Sequence, residues 1–311
     1  MKAARIHRFG PADVIVIDEL PRPVPPTGQV LLRVASAGVG PWDALIREKK
    51  SVVDSPLPLT LGSDVSGAIE AVGAGVTQFK IGDAVYGATN PEFIGAYAEF
   101  ALASATMVAR KPSSLSFNEA ASVPVVAVTA SQMLYDYAKA KPGQTVLIHG
   151  AAGSVGAYAV QLASQAGLHV FATASSQDTP YVQSLGAKTV IDYKNDRFEN
   201  VVPNVDIVLD TVGGDTRTRS LRIIKPSGIL VSVVSEPLPR ANELGNIRAV
   251  FFLVEVTTER LDQIAKLFDR GKLVTRVGTV LPLEQARTAH EMLAGAPHKP
   301  GKIVLSISDL A

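Results

Sequence analysis

The stretch that decides the fold is HGAAGSVG, residues 149–156, between the apolar run TVLI (145–148) and the small-residue stretch AYAVQLASQAG (157–167). An apolar run followed by glycines and a helix-forming stretch indicates a strand that turns directly into a helix. The last six residues read A-x-G-x-x-G, a version of the dinucleotide fingerprint. In that pattern Gly153 lets the backbone approach a pyrophosphate, Gly156 lets helix and strand pack closely, and the free amides at the helix start bind the anion. A tight turn without a ligand fits the same letters, so both interpretations stay open here.

Strand and helix patterns alternate on either side of this turn. Apolar strands that alternate with helices predict an α/β fold with a doubly wound parallel sheet. The helices are expected over about 154–166, 177–185 and 215–222. The strands are expected at TVLIHG, HVFATA, TVIDY, DIVLDTV, GILVSVV and RAVFFLVEV.

The beginning of the chain has a different texture, with short strand patterns separated by Gly and Pro. KAARIH, VIVIDEL, QVLLRVASAG, SGAIEAVG, DAVYG and AYAEFAL are closely spaced, which predicts a partly open β-barrel. The last part of the chain returns to mixed pieces. We therefore expect one domain from 1–122 and 261–311, and a dinucleotide-binding domain over 123–260.

Composition narrows the classes of function. A net charge of +1 provides no field that would attract nucleic acid or an anionic membrane. The absence of cysteine excludes disulfides, thiolate zinc sites and a cysteine nucleophile. The five histidines lack metal-ligand spacing, so no metal is expected. No export signal or long apolar run is visible, so the cytoplasm is the expected location.

The end of the second predicted strand bears on the choice of cofactor. An NAD site places Asp or Glu about 20 residues beyond the glycine-rich turn, on the ribose 2′-hydroxyl. Here the sequence FATASSQD offers Ser175 and Ser176, which predicts NADPH rather than NADH. Two serines after a strand are also an ordinary helix N-cap. Tyr193 is expected either beside the adenosine phosphate or in simple packing.

Several motifs together resemble a known family. They are LGSDVSGAIEAVGAGVTQFKIGDAVYG (61–87), HGAAGSVGAYAVQLA (149–163), LGAKTVIDY (185–193), DTVGG (210–214) and the terminal GKIVLSI. The chain is similar in these motifs to the medium-chain dehydrogenase/reductase superfamily, and most to its zinc-independent quinone oxidoreductases, the zeta-crystallin group. The resemblance implies a GroES-like catalytic domain, a Rossmann domain, NADPH as cofactor and usually a homodimer.

The resemblance also implies which residues contact the cofactor. Zinc-dependent relatives carry their ligands where this chain has Gly40 and Ser63, so zinc chemistry is not expected. The family often has Asn at Gly40, Tyr at Leu45 and a phosphate-pairing Lys at Thr179, and these departures leave open how a 2′-phosphate is held. The expected cofactor contacts are Gly40, Pro41, Trp42, Asp43, Thr129, Ala152, Gly153, Ser154, Val155, Gly156, Ser175, Ser176, Tyr193, Val233, Val234 and Phe252.

Several roles have alternatives that the sequence leaves open. Trp42 and Asp43 are candidates for the substrate pocket, with core packing and loop orientation as the alternatives. Thr129 is expected to bond either the nicotinamide carboxamide or its own helix backbone. His149 is expected to pack, not to carry a proton.

The leading hypothesis is an NADPH-dependent, zinc-independent reductase that transfers hydride to a quinone or an α,β-unsaturated carbonyl. An enoyl or alkenal reductase dedicated to one metabolite is the alternative among enzymes. A low-turnover NADPH-binding sensor, structural or interaction protein is the alternative outside them. No side chain is identified as an obligatory acid or base. The apolar run RAVFFLVE (248–255) predicts an edge strand that pairs with a second copy in a homodimer.

Overall fold

A computed structural model describes residues 1–53, 56–234 and 245–310. The chain forms two compact units, Met1–Val125 with Val256–Ala311, and Val126–Glu255. This division reflects contacts within the chain, and the domain boundaries inferred from sequence stay predictions. Within the described ranges, no helix has the length and apolarity needed to span a bilayer.

The second unit is built on a six-stranded sheet in which every neighbouring pair of strands is parallel. Strands covered on both faces are continuous apolar runs, as in Val146, Leu147 and Ile148, all fully buried. The parallel order confirms the predicted doubly wound sheet. From edge to edge the strands are β11 (Thr189–Asp192), β10 (His169–Ala174), β9 (Thr145–Ile148), β12 (Val205–Asp210), β13 (Ile224–Ser232) and β14 (Arg248–Phe251).

The helices of this unit follow the predicted alternation. The chain before the glycine-rich turn is also helical, and α3 begins at Pro124 because proline has no N–H to donate to a preceding turn. A turn of π-helix, Gln132–Tyr137, continues from α3. The helices are α3 (Pro124–Ser131), α4 (Ser154–Gln165), α5 (Thr179–Ser184) and α6 (Gly214–Ser220).

The predicted last strand is shorter than its apolar run. β14 pairs residues 248–251 with residues 229–232 of β13, and β13 ends at Ser232. Within the described ranges, β14 has no parallel partner beyond Phe251, and the strand ends there although the apolar run continues. β14 is an edge strand of the sheet in the described part of the chain, and the homodimer across it stays a prediction.

The first unit contains a three-stranded and a larger seven-stranded sheet, which do not close into a barrel in the described residues. This confirms the partly open GroES-like architecture. The strands are β1 (Lys2–Ile6), β2 (Ile15–Glu19), β3 (Gln29–Val39), β4 (Leu59–Thr60), β5 (Asp64–Val72), β6 (Ala84–Ala88), β7 (Phe100–Ser104), β8 (Val108–Arg110), β15 (Val277–Pro282) and β16 (Lys302–Ser306). The helices are α1 (Pro41–Arg47), α2 (Phe117–Ala121), α7 (Thr258–Asp269) and α8 (Ala286–Leu293).

β3 is the central strand of the seven-stranded sheet. It pairs with β5 on one side, with β16 on the other, and with β7 near its beginning. Its final residue, Val39, leads directly into Gly40 and α1. The buried side chains of β3, among them Val30, Leu32 and Val34, form part of the core that fixes the position of α1.

Candidate functional site

The predicted cofactor residues of the second unit lie at one edge of its sheet. Parallel strands end at the same edge, and ligands of open α/β sheets bind there, where the strand order reverses. In this sheet the order reverses between β9 and β12, which are neighbours. Ala152 to Gly156 follow β9, Ser175 and Ser176 follow β10, Tyr193 follows β11, Val233 and Val234 follow β13, and Phe252 follows β14.

The turn after β9 presents free amides. Gly153 is the N-cap of α4, and it is exposed. The backbone N–H groups of Ser154, Val155 and Gly156 have no hydrogen-bond partner in the described part of the chain. The first bond inside this 12-residue helix runs from the Ala157 N–H to the Gly153 carbonyl. Unsatisfied amides at the start of a helix fit a pyrophosphate, so these residues fit the cofactor.

An acidic side chain lies at the end of β10, where the sequence reasoning expected none. The Ser175 hydroxyl donates to Asp178 Oδ2 over 2.8 Å. The Thr179 hydroxyl donates to the Ser175 carbonyl over 3.3 Å. The S-x-x-D spacing in SSQD was the available signal, because a serine and an acid at this spacing commonly bond each other at a helix start. The Ser175 hydroxyl is thus engaged by a carboxylate in this structure.

The remaining predicted residues of this unit differ in how accessible they are. The Tyr193 N–H donates to the Ala174 carbonyl over 3.3 Å, which brings this 60% exposed side chain close to Ser175. Thr129 lies buried in α3. Phe252 is buried and stacks on Tyr137, with ring centroids 4.2 Å apart, so its ring is engaged in packing.

The strand ends after β12 and β13 are tied together. Asp210 accepts from the amides of Val212 and Gly213 and from the Ser232 hydroxyl. The Val233 N–H donates to the Asp210 carbonyl over 3.1 Å. These bonds fix the backbone at Val233, one of the predicted contacts.

His149 is fully buried and bonded through both ring nitrogens. Nδ1 lies 3.1 Å from the Thr173 hydroxyl and Nε2 lies 2.9 Å from the Ser220 hydroxyl. Burial lowers the pKa of His149 to about 4, so the ring is neutral near pH 7. The imidazole therefore links β9, β10 and α6 instead of offering a proton.

Asp43 is a fully buried carboxyl group of the first unit. Its Oδ2 accepts from the Gly40 N–H over 2.8 Å and from the Tyr97 hydroxyl over 3.0 Å, while Oδ1 is buried without a partner. Burial raises the pKa of Asp43 to about 7, against the lowering effect of the Gly40 hydrogen bond. The carboxyl group holds the start of α1 to the segment around Tyr97.

Asp43→Asn is expected to flatten the fall in stability between about pH 4 and about pH 7. The folded-state pKa of about 7 lies above the unfolded value, so the free energy of unfolding falls as pH rises from about 4 to about 7. The amide imitates the protonated carboxyl group and removes that fall. Leaving one buried amide N–H₂ unpartnered offsets part of the gain, so we expect a net stabilisation of about 1–3 kcal/mol at pH 8. Chemical denaturation at pH 5 and pH 8 measures it.

The same variant tests whether Asp43 is an obligatory acid. A carboxamide at this position cannot supply a proton, and we expect Asp43→Asn to retain measurable hydride transfer. Complete loss of the chemical step in a folded, cofactor-saturated variant would contradict a purely positioning role for Asp43.

Gly40 and Ser63 stand at the two positions where zinc-dependent relatives carry their ligands. Gly40 has no side chain, and the Ser63 hydroxyl accepts from Trp42 Nε1 over 2.9 Å. Among the described residues, no three His, Asp or Glu side chains are grouped so that they could hold a metal ion. These donors do not fit a zinc ion, which prefers a compact set of nitrogen and sulfur ligands.

Lys302 is a buried cation that the sequence reasoning missed. Its ammonium lies 3.1 Å from Asp64 Oδ2, and the side chains are 4% and 0% exposed. The distance is that of an ion pair, although the orientation is not that of a hydrogen bond. The signal in the sequence was a lysine at the start of the apolar run KIVLSI. A lysine in a buried strand is itself buried, and a buried lysine needs a charged partner. Burial raises the pKa of Asp64.

Comparisons with known proteins agree with this geometry. Residues 26–113 match the model of the alcohol dehydrogenase GroES-like domain, and residues 185–305 match that of the zinc-binding dehydrogenases. The chain is 31% identical to the mouse quinone oxidoreductase over 98% of this chain and 97% of that protein. It superposes on the quinone oxidoreductase of Coxiella burnetii with a TM-score of 0.92, at 35% identity and 99% coverage of both chains. Mycobacterial Rv1454c complexed with NADPH gives a TM-score of 0.87, at 29% identity, over 98% of this chain and 100% of that one.

Proposed function

The chain belongs to the zeta-crystallin-like quinone oxidoreductase group of the medium-chain dehydrogenase/reductase superfamily, and on that premise we propose an NADPH-dependent, zinc-independent reductase. It transfers hydride to a quinone or to the alkene of an α,β-unsaturated carbonyl. The observation that carries this proposal is the free set of amides at the start of α4, at the edge where the parallel strands end. The protein is an oxidoreductase that uses a nicotinamide cofactor.

The residues of the site divide the work of binding. The amides of Ser154, Val155 and Gly156 hold the pyrophosphate, and Ser175 with Tyr193 lies at the adenosine end. Thr129 and the fixed backbone at Val233 orient the nicotinamide. When bound, the reduced nicotinamide supplies the hydride.

The acceptor class is inferred from the buried acid–base groups of the chain. Asp43, His149 and His290 are all fully buried, and each is bonded inside its own unit. A simple ketone needs strong polarisation of its carbonyl and a proton for the alkoxide, which zinc-dependent enzymes obtain through the metal. A quinone or enone needs less polarisation and a weaker proton donor, because the negative charge that arrives with the hydride delocalises as a phenolate or an enolate. Positioning and modest donors then suffice, and water delivers the proton.

Steady-state NADPH oxidation with a panel of acceptors tests this function. We expect turnover of 1,4-naphthoquinone and 2-cyclohexen-1-one and negligible oxidation of ethanol or 2-propanol with NADP⁺. Exhaustive chelation should leave the rate unchanged, because the described residues offer no zinc donor set. Efficient alcohol oxidation, or activity lost on chelation and restored by zinc, would contradict the proposal. NADPH binding without turnover of any acceptor would instead favour a low-turnover sensor or interaction protein.

We expect NADPH to bind more tightly than NADH, by a margin that Asp178 limits. The carboxylate beside Ser175 places a negative charge near the expected 2′-phosphate. Asp178→Asn should raise the preference for NADPH by about tenfold, since Asp178 is partly exposed and removing a like charge about 4 Å away at an effective dielectric of about 40–80 is worth about 1–2 kcal/mol.

Ser175→Asp is the opposing variant and should weaken NADPH selectively, because it sets a second carboxylate against the phosphate. Calorimetric titration with both cofactors measures each change, and exposed Asp196→Asn is the matched control. Equal affinity of the wild-type protein for NADH and NADPH would overturn the expected preference.

A further inference from the structure

The indole of Trp42 occupies space that a side chain at residue 40 would need. A Cβ atom built on Gly40 would lie 2.3 Å from two carbons of the indole ring, far closer than atoms approach. The ring therefore packs directly on the backbone of residue 40. Any larger residue there would displace the indole.

Two further contacts hold the ring. Its Nε1–H donates to the Ser63 hydroxyl over 2.9 Å, and Ser63 is fully buried. The Lys302 ammonium lies 4.2 Å from the centroid of the ring, within the range of a cation–π contact. Neither contact depends on residues of the other unit. The indole is thus fixed at its edge by Ser63 and on one face by Lys302.

The cation on this face is itself held deep in the unit. Lys302 is paired with Asp64, whose Oδ1 accepts the Val125 N–H over 2.9 Å. A buried ion pair contributes little net stability, because both charges lose their water. Its visible geometric effect here is to place an ammonium against the indole. We therefore infer that the Lys302–Asp64 pair serves to hold the ammonium against the indole.

Part of Trp42 is available to a ligand. The residue is only half-buried, although Lys302 lies over one face of the ring and the Gly40 backbone packs against it. The single N–H donor of the indole is already used by Ser63. What the ring offers is a flat, apolar π-surface, which selects a ligand by planarity and stacking.

We propose that Trp42 is the stacking platform for a planar, ring-conjugated acceptor such as a quinone, and that Lys302 is a positioning residue that holds the indole in place. The inference rests on the proposed function and names the substrate class that this site favours. Quinones and aryl-conjugated enones should bind well, whereas small aliphatic enones, which have little planar area, should bind weakly.

The sole tryptophan of the chain makes the platform directly observable. In the presence of NADP⁺, which cannot donate hydride, titration with 1,4-naphthoquinone should quench the Trp42 emission in a saturable manner, with the lifetime unchanged. 2-Cyclohexen-1-one should cause little quenching at the same concentration. Quenching that rises linearly and shortens the lifetime would show only collisions in solution, and would overturn the platform.

Lys302→Met tests the positioning role. Methionine keeps the length of the side chain and removes its charge, so we expect a red shift of the emission and at least a tenfold higher KM for naphthoquinone, with kcat changed less than about threefold. Lys302→Arg keeps a cation over the ring and should restore KM. Exposed Lys299→Met is the matched control and should leave both constants unchanged. An unchanged KM in a folded Lys302→Met protein would overturn the assignment.

Lys302→Met leaves Asp64 buried without its charged partner, which could prevent folding. A second variant therefore keeps the test independent of that effect. The double variant Asp64→Asn with Lys302→Met removes both charges together, and the same rise in KM is expected. The failure of this inference is distinguishable from failure of the proposed function. Saturable quenching without NADPH oxidation supports the platform and contradicts the reductase, whereas NADPH oxidation without saturable quenching does the reverse.

Discussion

Gly153→Val is expected to reduce NADPH affinity by at least about 100-fold, roughly 3 kcal/mol, while the protein stays folded. Gly153 has φ −74° and ψ 169°, which any residue adopts, and its Cβ would meet only the Gly150 carbonyl oxygen, at 3.1 Å. The backbone conformation therefore allows a side chain there, with a small shift of the Gly150 carbonyl. The valine methyl groups instead occupy the space beside the free amides of α4, where the pyrophosphate must approach. Calorimetric titration with NADPH measures the loss.

Gly156→Val is the matched comparison within the same turn. A Cβ at Gly156 would lie 2.2 Å from the Gly150 carbonyl oxygen and 2.8 Å from Ala151 Cα, and both are backbone atoms that cannot give way cheaply. We expect this variant to lower the melting temperature, because helix and strand are forced apart. Gly153→Val should keep a melting temperature close to that of the wild type. Retained NADPH affinity in folded Gly153→Val would contradict the anion site at α4.

The second large effect is a loss of stability in acid that His149 causes. Its folded-state pKa is lowered to about 4, below the unfolded value of 6.5, so the unfolded chain takes up a proton first as pH falls. The contribution is fully present above the unfolded pKa and is lost between about pH 6.5 and pH 4. The shift corresponds to about 3 kcal/mol. His290, whose pKa burial lowers to about 3, acts in the same direction.

Denaturation midpoints measured from pH 7.5 to pH 4 separate this contribution. His149→Gln should be less stable at pH 7.5, because it loses hydrogen bonds to Thr173 and Ser220, but its stability should fall less steeply with acid. Asp43 stabilises the protein as pH falls from about 7 to about 4, which opposes the effect of His149. The contribution of His149 is therefore measured as the difference between the slopes of stability against pH for His149→Gln and for the wild type. Exposed His169→Gln is the control. Equal slopes for wild type and His149→Gln would contradict the buried, neutral imidazole.

The region around α4 shows which structural features local sequence can predict. The helix predicted over 154–166 is observed over Ser154–Gln165, because the strand, the glycines and the small-residue stretch agree locally. The strand predicted from RAVFFLVEV ends at Phe251, because its length depends on where β13 leaves the sheet. Pairing with a distant segment decides where a strand ends, and the length of an apolar run does not show where that pairing stops.

The sequence by itself determined the parallel sheet, the family and the strand ends at which the predicted cofactor residues of the second unit lie. Those features follow from periodicity, glycine spacing and the order of motifs, which are properties of neighbouring residues. Only the tertiary structure decided what the side chains do. Lys302 meets Asp64 and Trp42 from the opposite end of the chain. Charge pairing and burial depend on which distant residues fold together, and no local pattern carries that information.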